Sequence, residues 1–119
     1  MPIEDLIAMR QSDTRPALVR SFAEDNGLAV NLTGFSAFVH IVSDDGGLPR
    51  AGAAVTMRTA TVTNAAQGEV TYNWVAADTA TVGDFLVEVE VRDAGMTVRR
   101  TYPRTGYIRM RVTDDLANG

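Results

Sequence analysis

The chain has no cysteine and no lysine, and its 119 residues include one histidine. Without cysteine, neither a disulfide nor a thiolate metal site can form, and the redox compartment leaves no mark on the sequence. A lone histidine excludes a multi-histidine metal centre within one chain. No apolar run approaches the ~20 residues that carry a helix across a bilayer. The opening MPIEDLIAMR also lacks the basic-then-apolar order of a signal peptide. The expectation is therefore a protein neither exported by a signal peptide nor embedded in a membrane. All 11 basic residues are arginine, and against 15 acidic ones they leave a formal net charge of −4. Affinity for a phosphate backbone comes from clustered positive charge, so nucleic acid is not an expected partner.

What is present suits a globular domain. Hydrophobic residues make up 45% and charged ones 22%, unlike a disordered chain. A chain of this length buries roughly two thirds of its unfolded surface, enough for a core without staples. Residues 1–119 are expected to form a single domain, with residues 1–8 as an N-terminal arm and 113–119 as a polar tail.

The most informative stretch is residues 68–91, GEVTYNWVAADTATVGDFLVEVEV. Val70, Tyr72 and Trp74 alternate in one run, and Phe85, Val87, Val89 and Val91 in the other, with a polar reversal between them. Two half-buried strands so close in sequence bury their apolar faces against a shared interior. Upstream, Pro16 lacks an N–H for a sheet ladder and marks an edge strand or a kink. Asn26-Gly27 is a reversal signal leading into a strand over residues 29–32. In FSAFVHIV, Phe35, Ala37, Val39 and Ile41 are expected inward, which leaves Phe38, His40 and Val42 outward. Residues 43–49 read as a loop by composition. From the loosely alternating stretch that follows, Val55, Met57 and Val62 are the core candidates. A two-residue turn at Ala94-Gly95 would set Val91 opposite Val98 and Glu90 opposite Arg99. In the last strand Tyr107, Arg109 and Arg111 alternate with Ile108, Met110 and Val112. With no strong helical period, the pattern predicts an all-β fold, an antiparallel β-sandwich of about seven to eight strands with Trp74 and Phe85 in the dry layer.

The candidate chemical groups have plain structural readings. His40 would need a nucleophile and an orienting partner that nothing in the sequence puts beside it. The acidic pairs at Asp44-Asp45, Asp78 with Asp84, and Asp114-Asp115 could converge as oxygen ligands for calcium, but none has EF-hand spacing and all suit turn chemistry. Trp74 could stack on a sugar, although a tryptophan in strand alternation belongs to a core. Glu88 and Glu90 read as a solvated ion-pair face. No catalytic group and no cofactor is expected. Two apolar residues on the outer face of one strand, Phe38 and Val42, make a contact surface if uncovered. With them go the loop residues Asp44, Asp45, Leu48 and Arg50, and the two termini.

Read in order, RQSDTRPAL, VNLTGFSAFVHI, the 68–91 stretch and TYPRTGYIRMRVTDDL resemble the immunoglobulin-like domain at the N-terminus of phage baseplate upper proteins and related small phage tail proteins. The shared features fall on Gln11, Asp13 and Thr14, on residues 32–34, on Tyr72 and Trp74, on Thr81 and Gly83 before Phe85, and on Gly106 with Tyr107. The resemblance runs from about Met9 to Leu116, and no stalk or receptor-binding region follows it in this sequence. It implies a non-enzymatic virion structural protein, assembled in the bacterial host cytoplasm. Its partners would be other phage structural proteins, met in multiple copies through strand edges, loops and termini. Capsid decoration, or a carbohydrate- or calcium-binding adhesion module, are the alternatives.

Overall fold

The computed structural model describes residues 5–95 and 97–114. Its strands are β1 (Leu6–Arg10), β2 (Leu18–Ser21), β3 (Ser36–Asp45), β4 (Leu48–Pro49), β5 (Thr56–Asn64), β6 (Glu69–Tyr72), β7 (Gly83–Arg92), β8 (Arg99–Tyr102) and β9 (Ile108–Thr113). Short 3-10 turns at Ala65–Gln67 and Ala76–Thr79 flank β6. The fold is all-β.

Hydrogen bonding follows the order β1-β9-β7-β3-β5-β6-β2, with β4 beside β3 and β8 beside β7. β5 belongs to both layers. Its residues 56–60 pair with β3, then Thr61 and Val62 pair with Thr71 and Val70 of β6, and the register slips between Val62 and Asn64. That irregularity turns the strand through the corner of the sandwich. One layer thus holds β9, β7 and β3, and the other holds β2, β6 and the second half of β5, the division characteristic of an immunoglobulin-type sandwich.

Alternation builds the core as expected. Val87, Val89 and Val91 of β7, Val39 of β3, and Ile108, Met110 and Val112 of β9 are buried in one cluster with Val70, Tyr72 and Trp74, and Phe85 packs against it. Tyr72 and Trp74 meet edge to face with ring centroids 5.3 Å apart. The burial of Trp74 removes it as a sugar platform.

Several expectations change. Where an arm was expected to reach residue 8, Leu6–Arg10 form β1, which runs parallel to β9 from Leu6 opposite Arg109 to Arg10 opposite Thr113. This is the parallel pair in an otherwise antiparallel set. The rest of the expected arm, residues 1–4, and of the expected tail, residues 115–119, lies outside the described residues, while Thr113 is the last residue of β9. Residues 29–32 make a single bridge, Ala23 to Ala29, yet Val30 and Leu32 are buried. Residues 43–49 are a hairpin: β3 continues to Asp45, which pairs with Leu48 across Gly46 and Gly47, both at positive φ. Val55 and Met57 are more than half exposed and Val62 is half-buried, because β5 is the outer strand of its layer and receives cover from one side. At the β7–β8 turn, Asp93 accepts from the backbone N–H of Thr97 and of Val98, which widens the loop and moves the register to Val91 opposite Arg100 and Glu90 opposite Thr101.

Candidate interaction surface

The outer face of the larger layer gathers most of the residues that chemistry singled out. The β3–β7 register puts Phe38 opposite Glu90, His40 opposite Glu88, and Val42 opposite Leu86, all turned away from the core. β9 adds Arg109 and Arg111 on one flank, with Tyr107 just ahead of it, and β5 adds Met57 and Thr59 on the other.

The charged groups on this face are mutually engaged. Asp84 takes Arg111 Nε at 2.9 Å, and Asp44 takes Arg109 Nη2 at 3.2 Å and the backbone N–H of Gly47 at 2.7 Å. Glu90 is the centre. Only 5% of the residue is exposed, and its carboxylate meets Arg92 at 2.7 Å, His40 Nε2 at 3.1 Å and Arg99 at 3.2 Å. Burial opposes its ionisation, but hydrogen bonds and charge from Arg92 and His40 outweigh burial and hold the carboxyl below its ordinary range. Glu90 is therefore a buried hub rather than part of a solvated pair. Composition carried no signal for this, because the partners come from three strands.

The predicted contact residues separate. Val42 is buried, as is Leu86, and both share a cavity of about 100 Å³ with Pro49, Val55 and Tyr107, so Val42 is not an exposed contact. The Asp44 side chain is 3% exposed and committed to Arg109 and to the turn. Phe38 is half-buried, with the Arg92 guanidinium 4.9 Å from its ring centroid. Asp45, Leu48 and Arg50 are exposed, Leu48 at 67%. The exposed apolar residues at the margin of this face, its apolar rim, are Leu48 on the β3–β4 hairpin, Met57 opposite His40, and Val55, which lines a recess of about 330 Å³ with His40, Glu88, Glu90, Arg99 and Thr101.

Elsewhere, among the described residues, the acidic loops do not converge, and Asp115 lies outside those residues. Asp78 is buried beneath Arg58, Tyr72 and the Val75 N–H, while Asp44 and Asp84 each hold their own arginine. Among the described residues no three acidic, histidine or cysteine side chains are grouped as metal ligands. A recess of about 440 Å³ lies between the end of β2 and β8. Its arginines are engaged, Arg100 with Glu24 at 3.2 Å and Arg104 with Asp25, so it offers no free cation to an anionic ligand. Among the described residues no helix is long and apolar enough to cross a membrane.

No protein-family model and no curated protein matches the chain.

Proposed function

We propose that this chain is a non-enzymatic structural protein of a phage particle, an assembly module of the tail or baseplate that works by repeated protein–protein contacts. The observation that carries the reading is the ordered motif set of the sequence, from Gln11, Asp13 and Thr14 through Tyr72 and Trp74 to Gly106 and Tyr107, which resembles the immunoglobulin-like domain of phage baseplate upper proteins. Two features of the fold support it. An immunoglobulin-type sandwich provides rigid edges and faces on which contacts can be built. On the outer face, Asp44, Asp84 and Glu90 are spent on arginines, while Leu48, Val55 and Met57 remain exposed to be covered by a neighbour.

The test is quantitative mass spectrometry of purified particles from the phage that encodes the chain, with antibody labelling in electron microscopy. The expected result is several copies per particle with label at the tail or baseplate. Label on the head would replace the tail assignment with capsid decoration, and a particle proteome without the chain would overturn the proposal.

A further inference from the structure

The larger layer ends on the first half of β5. Thr56 to Ala60 pair with β3 on one side, and among the described residues no strand pairs with their other side. An unpaired edge presents alternating N–H and C=O groups to any strand that reaches it, and folded proteins ordinarily blunt such edges with charge, proline or a covering segment. The other margins are blunted in this way. β1 and β2, the two ends of the strand order, are bridged by Asp5 and Arg20 at 2.6 Å, and β8 carries Arg99 and Arg100. The first half of β5 carries no proline and no outward charge. Its outward residues Met57 and Thr59 are neutral and exposed, and Val55 just ahead of it is 58% exposed. Its single charge, Arg58, points inward and is held by Asp78 at 2.9 Å.

We infer that this edge is a self-association site at which a second copy of the chain adds its own β5 antiparallel about a twofold axis, continuing the larger layer across two molecules. Copies that each carry a formal charge of −4 repel, so the contact between them must be locally uncharged, and β5 supplies that. Side-chain pairing sets the register. An axis beside Met57 puts Met57 against Met57, Val55 against Thr59, and Thr56 against Arg58, with no like charges opposed. An axis beside Arg58 would set two guanidinium groups against each other. The first arrangement also covers Val55 and Met57 of both copies, and an isologous contact of this kind closes as a dimer.

Sedimentation equilibrium over about a hundredfold range of concentration tests this, since the mass of wild type should climb from 12.8 kDa towards twice that value. Met57→Lys and Met57→Glu, each folded by circular dichroism, should remain at the monomer mass, and an equimolar mixture of the two should regain the dimer because opposite charges then meet across the axis. A wild type that stays monomeric throughout overturns the inference. So does a dimer that survives both substitutions, or a mixture that fails to reassociate. None of these outcomes depends on whether the chain is found in a particle.

Discussion

The phenolic oxygen of Tyr72 lies 2.6 Å from Oδ2 of Asp78, and this bond ties the end of β6 to the 3-10 turn that leads into β7. Asp78 Oδ2 also accepts from the Val75 N–H at 3.0 Å, while Oδ1 accepts from Arg58 Nε of β5. One buried carboxylate thus fixes three segments. Tyr72→Phe removes a hydrogen bond to a charged acceptor and should cost about 2 kcal/mol; Asp78→Ala strands the hydroxyl and the N–H together and should cost about 3 kcal/mol. Urea unfolding of both variants measures these losses.

The same contact gives an alkaline signature. Burial first, then the hydrogen bond and charge of Asp78, push the Tyr72 phenol well above its ordinary 10.0. The folded protein therefore keeps this proton after an unfolded chain would lose it. Its contribution to stability is whole below pH 10.0 and drains away as the pH rises beyond it. Spectrophotometric titration at 295 nm should show Tyr72 ionising together with unfolding, and Tyr72→Phe should flatten the alkaline fall in stability.

Glu90 gives the opposite signature. A free glutamate ionises near 4.5, and in the fold, despite burial, Arg92 and His40 hold Glu90 lower. At pH above 4.5 both states are ionised and the full contribution is present. Below it the unfolded chain takes up its proton first, and stability falls until the folded carboxylate follows. Glu90→Gln leaves Arg92 and Arg99 without their counter-charge and should cost about 1–3 kcal/mol near neutrality. The gap to wild type should narrow as the pH drops through and below 4.5, which denaturant titrations at several pH values would measure.

The inward sets of β3, β7 and β9 were readable because each alternates over three or more positions, and a strand with a period of two has one way to bury them. β1 was not, since five residues with one fully buried side chain, Met9, leave too little pattern, and parallel pairing with the far end of the chain has no local signature. Val55 and Met57 look like core by composition; only the pairing reveals that β5 changes partner midway, so that its first half is paired with β3 alone. The site was legible to a similar degree. Phe38 and Val42 do face outward, but the return of residues 43–50 over Val42 and the reach of Arg92 over Phe38 depend on non-local geometry. The burial of Glu90 and Asp78 likewise arises from partners on other strands.

Gly68 sits where β6 begins, at φ 66, with its carbonyl accepting from the Phe22 N–H at 2.9 Å. A Cβ there would lie 2.5 Å from the carbonyl oxygen of Phe22 and 2.8 Å from that of Val30, both backbone atoms that cannot swing aside. Gly68→Ala therefore combines left-handed strain with a steric clash and should cost about 3 kcal/mol. Gly27→Ala, also at positive φ but with open space around it, should cost about 1 kcal/mol. Thermal unfolding of the pair separates the clash from the strain, and equal losses would show that the backbone at Phe22 and Val30 yields.

Leu48 and Phe38 make opposite predictions for docking. Leu48 is 67% exposed at the tip of the β3–β4 hairpin, so Leu48→Glu should leave stability within about 0.5 kcal/mol of wild type. If the apolar rim is the surface covered in the particle, the same change puts a charge into that contact, and incorporation into particles should fall at least about tenfold. Phe38→Asp instead sets a carboxylate opposite Glu90 in the register and removes the ring beneath Arg92, so its first effect should be on folding. Complementation of a phage lacking the gene, with incorporation quantified beside the melting curve of each variant, distinguishes them. Full incorporation of Leu48→Glu would move the docking surface off this rim.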